Sequence, residues 1–141
     1  MSTIRIINSM FKSKGYGIKR ILRAIVYSWQ GMCAAFKHES AFRQELVLIL
    51  ITTPLLWLPN LTWSERGLLI GASIFILLVE LVNSAIEAVV DLVTQEKKEL
   101  AGRAKDLGSA AVFMAMVIWM LVWGVIVLPH VFVYTSQFFV R

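Results

Sequence analysis

Three apolar stretches dominate this chain, at residues 46–63, 67–90 and 107–133. Each is near the roughly 20 residues that carry a helix across a bilayer. Inside lipid every backbone N–H and C=O must be satisfied within the chain, so an isolated apolar stretch of this length is read as a helix. The composition agrees: 58% of the 141 residues are hydrophobic and only 16% are charged. A soluble domain is about 45–50% apolar. The fold expected is therefore an all-α membrane protein. A basic lead-in at 1–17 precedes a single integral-membrane domain at 18–141. The first stretch is the shortest and carries Pro54 and Pro59; the short connection over 59–66 suits a helical hairpin.

Basic residues are placed unevenly. Arg5, Lys12, Lys14, Lys19, Arg20, Arg23, Lys37 and Arg43 precede the first stretch, and Lys97, Lys98, Arg103 and Lys105 lie between the second and third. Only Arg66 lies between the first and second, and only Arg141 follows the third. The positive-inside rule then places the N-terminus and second loop in the cytoplasm and the C-terminus outside. No signal-peptide pattern is expected at the N-terminus. Residues 18–36 read as an amphipathic surface helix. Ile18, Ile21, Leu22, Ile25, Trp29, Met32 and Phe36 share one face, with Lys19, Arg20, Arg23, Tyr27 and Gln30 opposite. Cys33 is the single cysteine, so no intrachain disulfide forms, and His38 and His130 make no metal-ligand pair.

The second stretch carries a polar stripe. Glu80, Asn83, Ser84, Glu87 and Asp91 fall within one arc of roughly 100°. A carboxylate at the centre of a spanning helix costs about 2.5–3.5 kcal/mol, which makes the stripe a candidate site. Counted from Gly67, Glu80 is roughly 20 Å along the helix, near the inner interface. A water-soluble reactant and a lipid headgroup meet at that level. Glu39 and Glu45 flank the start of the first stretch, and Lys105, Asp106 and Ser109 open the third. Carboxylates supply hard oxygens for Mg²⁺, a lysine neutralises phosphate, and a carboxylate accepts a proton from a hydroxyl. These are the parts of a phosphoryl-transfer site.

The same residue types also suit a proton relay or a polar helix interface. Asp91 and Asp106 also fit helix caps or pairing with Arg103 and Lys105, and Asn83 fits a hydrogen bond between helices. Glu80 is hardest to explain structurally, with no cation within one turn. Trp57, Trp63 and Trp123 read as interface or packing residues. The nucleotide-binding patterns G-x-x-x-x-G-K-[ST] and G-x-G-x-x-G are absent from the sequence. A non-enzymatic three-span subunit, such as a transporter component, is the competing class. It needs polar residues through the whole membrane thickness, whereas these gather at one level.

The runs YSWQG (27–31), ESAFRQE (39–45), VELVNSAIEAVVD (79–91) and ELAGRAKDLGSAAV (99–112) closely resemble the small bacterial integral-membrane diacylglycerol kinases. The resemblance implies a homotrimeric helical bundle in the bacterial inner membrane, multi-pass, each subunit with a surface helix and three spans. It implies phosphorylation of diacylglycerol to phosphatidic acid with ATP and Mg²⁺, at sites between neighbouring subunits, with no nucleic-acid partner. By motif, Glu80 is the general base, and Glu39 and Glu87 hold Mg²⁺. Arg20, Tyr27, Glu39, Asn83, Glu87, Glu96, Lys105 and Asp106 bind ATP. Arg20, Ala24, Ser28, Trp29, Ala41, Phe42, Gln44, Glu45, Arg66, Glu80 and Ser109 line the lipid side. Cys33 stands where a basic residue is expected, and Lys98 where a histidine is expected. A sister branch phosphorylates undecaprenol, and the AFRQE run favours diacylglycerol over it. A lone three-helix subunit is expected to give the stripe on the second span little cover from lipid.

Overall fold

The computed structural model describes residues 17–96 and 98–139. Residues 1–16 of the expected lead-in lie outside the described residues. The helices are α1 (Ile18–His38), α2 (Ser40–Thr52), α3 (Trp63–Val93) and α4 (Glu99–Phe139), with a 3₁₀ turn at Thr53–Trp57. Among the described residues there is no strand. The chain divides into two compact units, Met1–Ala34 and Ala35–Arg141.

In the first unit, α1 starts from Gly17, whose φ of 90° suits a residue without Cβ. Its carbonyl accepts from the Arg20 and Ile21 N–H groups. Ile18, Ile21, Leu22, Ile25, Trp29 and Met32 are exposed along the helix, and so are Lys19, Arg20, Tyr27 and Gln30.

In the second unit, Glu39 is extended and separates α1 from α2. Arg43 donates to the Phe36 and Lys37 carbonyls at 3.0 and 3.2 Å, covering orphan acceptors at the end of α1. The first apolar stretch, expected as one span over 46–63, is not one helix. Its α-helix stops at Thr52, and Pro54 sits in the first turn of the 3₁₀ segment, where its missing N–H costs little. The Thr52 and Thr53 hydroxyls bond back to the Leu48 and Ile49 carbonyls at 2.9 and 2.7 Å. Asn60 turns the chain at φ 71°, a conformation asparagine tolerates.

Trp63, expected to end the first span, instead opens α3. A capping box fixes that start. Thr62 N–H donates to the Glu65 carboxylate at 2.7 Å, and Glu65 N–H donates to the Thr62 hydroxyl at 3.3 Å. The helices α3 and α4 are long and apolar enough to cross a membrane, and both extend past the expected stretches of 67–90 and 107–133. In α4, Pro129 is carried inside the helix without ending it.

α3 packs against both α2 and α4. The core lies between α3 and α4: Leu69, Ala72 and Ile76 on one side, Ala115, Trp119, Trp123 and Val127 on the other, closed by Leu61. In a bilayer, where lipid tails are as apolar as these side chains, close packing rather than removal from water would hold this interface. Trp119 and Trp123 stack with ring centroids 5.3 Å apart. One hydroxyl, Ser73 Oγ, accepts from both indole N–H groups at 3.0 and 3.3 Å and donates to the Leu69 carbonyl at 2.8 Å.

Candidate active site

Continuing along the same face of α3, the buried residues change character. After Leu69, Ala72, Ser73 and Ile76 come Glu80 and Asn83. The spacing of three and four residues keeps them on one stripe. Glu80 is 2% exposed and Asn83 9% within a single chain. The little cover expected of a lone subunit holds for Asp91, which is exposed, and in part for Ser84 and Glu87, but not for Glu80 and Asn83. Packing of α2 and α4 against α3 already encloses these side chains.

Glu39 and Glu87 stand close enough to Glu80 for their charges to repel it, and Glu80 in turn repels Glu45. Four carboxylates from two helices and the linker between α1 and α2 thus gather in one place. Glu45 and Glu80 are buried and Glu39 and Glu87 partly exposed; such a group stays fully ionised only if a cation offsets its charge, and otherwise takes up protons. Both Glu45 carboxylate oxygens and Asn83 Oδ1 are buried without a hydrogen-bond partner. Asn83 Nδ2 donates to Glu87 Oε1 at 3.2 Å, one helical turn on. Ser84 Oγ donates to the Glu80 carbonyl at 3.0 Å. Among the described residues, no three His, Cys, Asp or Glu side chains form a ready-made metal cage.

The cationic side of the site comes from the polar start of α4. Lys105 Nζ lies 2.6 Å from Asp91 Oδ1. The hydrogen bond to Asp91 raises the Lys105 pKa, with the nearby charges of Asp91 and Glu87 adding to it. Asp91, read in the sequence as part of the acidic stripe or as a partner for a neighbouring cation, takes the second role. Ser109 Oγ donates to the Lys105 carbonyl at 3.1 Å, and Asp106 is exposed beside it. Glu96 is exposed and pairs with Lys98 at 3.6 Å.

Of the other expected residues, Phe42 is buried, Ala41 is partly exposed and Gln44 is exposed on α2. Arg20, Ala24, Tyr27, Ser28 and Trp29 are exposed on α1, in the first unit. Arg66 is not brought to the stripe. It sits in the first turn of α3, about 21 Å along the axis from Glu80. There its guanidinium lies 5.1 Å from the Trp63 ring centroid. Gly108 escaped the sequence reading. It is buried on α4 against Asn83, and nothing local to the AKDLGSAA run gives it that place.

Comparison with known proteins adds a family to this geometry. A family model described as prokaryotic diacylglycerol kinase matches residues 26–127. The chain is 43% identical over 114 residues to a diacylglycerol kinase of Escherichia coli strain K12, covering 81% of this chain and 93% of that protein. It is 46% identical over 112 residues to one of Pseudomonas aeruginosa, covering 79% and 91%. A third, of Haemophilus influenzae, is 44% identical over 111 residues, covering 79% and 94%.

Proposed function

The chain belongs to the prokaryotic diacylglycerol kinase family, and we propose that it transfers the γ-phosphoryl group of ATP to the free hydroxyl of diacylglycerol, giving phosphatidic acid. The observation that carries the reading is the buried Glu80 carboxylate, flanked by the charges of Glu39 and Glu87.

Glu80 accepts the proton of the lipid hydroxyl. The hydroxyl oxygen attacks the γ-phosphorus, the bond to the β–γ bridging oxygen breaks, and ADP leaves with that oxygen. Glu39 and Glu87 supply hard oxygens suited to Mg²⁺, which is commonly held by one or two carboxylates together with substrate phosphates. The metal's contribution is to offset charge on the phosphates. Lys105 and Asp106, with Asn83 and Glu96, serve the nucleotide, and Glu45 and its neighbours on α2, with Ser109, serve the lipid headgroup. The family resemblance alone adds Arg20 and Tyr27 to the nucleotide set and Ala24, Ser28 and Trp29 to the lipid set. Arg66, at the far end of α3, would line the lipid away from its headgroup.

The reading includes the membrane topology. α3 and α4 cross the bilayer. α2 and the 3₁₀ turn, rising about 30 Å together, make a composite first crossing. The N-terminus and the carboxylate cluster face the cytoplasm, where ATP is, and the C-terminus faces out. The exposed apolar faces of α3 and α4 meet lipid and neighbouring copies in a homotrimer of the bacterial inner membrane.

The test is a transfer assay on purified protein in mixed micelles with labelled ATP, offering diacylglycerol and undecaprenol in parallel. Label in phosphatidic acid is the expected result. Label in undecaprenyl phosphate alone would replace the substrate, and no labelled lipid at all would refute the kinase reading.

A further inference from the structure

We propose that Gly108 is a positioning residue for phosphoryl transfer: its bare Cα leaves room for the Asn83 amide, which in turn holds the Glu87 carboxylate. The inference rests on the kinase reading above and adds a residue that touches no substrate.

The geometry is specific to one level of the α3–α4 interface. A Cβ built on Gly108 would lie well inside van der Waals contact with Asn83 Oδ1, and 3.4 Å from Asn83 Cγ. Every other described glycine would meet nothing within 4 Å. Close helix packing alone does not account for this, because the atom in the way is the end of one polar side chain rather than the backbone of α3. That side chain is nine-tenths buried, its Oδ1 has no donor, and its hydrogen bond is the one from Nδ2 to Glu87. A methyl group at position 108 must push the amide aside. Turning the amide to relieve the contact swings Nδ2 away from Glu87 Oε1. Glu87 then loses the donor that fixes one of its oxygens, and a carboxylate suited to Mg²⁺ is set free to turn. The helices themselves need not move, since the displaced group is the far end of a side chain with its own torsions.

This makes a claim that ordinary packing does not: the effect of Gly108 passes through Asn83. The experiment is a double-mutant cycle of Gly108→Ala and Asn83→Ala on the purified full chain. Transfer rate, the Mg²⁺ concentration for half-activity and the thermal midpoint in detergent are measured for each protein. Gly108→Ala is expected to cost about 10- to 100-fold in rate or in Mg²⁺ requirement, the usual scale for losing the support of a metal ligand. Its thermal midpoint should stay close to wild type. In the Asn83→Ala background, where the space is vacated, adding Gly108→Ala should change neither residual rate nor Mg²⁺ requirement nor thermal midpoint.

An equal loss of rate or thermal midpoint in both backgrounds overturns the proposal, as does a Gly108→Ala protein with wild-type rate and Mg²⁺ dependence. An Asn83→Ala protein that keeps the wild-type Mg²⁺ requirement overturns it too, whatever Gly108→Ala does. A wild-type protein without transfer activity would refute the kinase reading instead, so the two failures are told apart.

Discussion

The two halves of the buried face of α3 handle polarity in opposite ways. In the N-terminal half the one fully buried polar residue, Ser73, is saturated: it donates to Leu69 and accepts from Trp119 and Trp123; the unpaired atom there is Arg66 Nε, on a half-buried side chain beside the Trp63 ring. In the C-terminal half, Glu80 gathers with Glu39, Glu45 and Glu87, while Asn83 Oδ1 and both Glu45 oxygens have no partner. Buried polar groups are normally paired, and an unpaired one costs about 1–3 kcal/mol. A satisfied cluster holds helices together. An unsatisfied one of like charge marks the place where a ligand belongs.

Replacing Glu80 tests the unsatisfied half most severely. Glu80→Gln is expected to lower transfer by about 10²–10⁴, the usual scale for losing a general base. The amide keeps the size and removes a buried charge, so the thermal midpoint should hold or rise. Near-wild-type turnover would remove Glu80 from the chemistry. A smaller effect is expected at Glu39 and Glu87. Glu39→Gln and Glu87→Gln should each raise the Mg²⁺ needed for half-activity, by about tenfold or more. A fall in rate with an unchanged Mg²⁺ curve would leave both outside the metal site.

The satisfied half should respond in the other currency. Ser73→Ala strands two indole N–H groups inside the bundle. Hydrogen bonds between membrane helices are worth about 0.6–2 kcal/mol, and unfolding in detergent should show a loss of that order. Transfer rate per folded protein should stay at wild type. A large kinetic defect with normal stability would erase the contrast between the halves.

The smallest effect is expected at the exposed start of α3. Thr62→Ala removes half of the capping box and should cost about 1 kcal/mol, with no change in Mg²⁺ dependence. The bonds from Thr62 hold the Glu65 carboxyl below its ordinary value of 4.5. A carboxyl lowered in the folded state adds stability above its unfolded pKa and loses it as pH falls through the folded one. The gap between wild type and Thr62→Ala should therefore narrow as the solution is taken below pH 4.5. A gap that widens in acid would mean that the carboxylate is not the partner that matters.

Much of this was legible in the chain itself. The long apolar runs gave α3 and α4, and the apolar face of 18–36 gave α1, which runs two residues further. The pattern T-W-S-E at 62–65 is a capping box on sight and assigns Trp63 to α3, although its apolar neighbours invite placing it at the end of the previous span. Pro54 likewise signals that the first stretch cannot stay one regular helix. Glu80 was legible because a carboxylate amid apolar residues is costly wherever the helix lies.

What the sequence determined, then, was local: which segments are helical, and which residues share a face, because helical periodicity depends only on positions a few residues apart. What the tertiary structure decided was who stands opposite. Ser73 is saturated because Trp119 and Trp123, 46 and 50 positions away, reach it across the α3–α4 interface. Asn83 is unsatisfied at its oxygen because the residue it meets is Gly108, which has no side chain to offer it a donor. Arg66, which the resemblance places with the lipid-binding residues, stands about 21 Å along α3 from Glu80, a separation set by helix length alone. Satisfaction of a buried polar atom is a property of the surface packed against it. No window along the chain contains both sides of that contact.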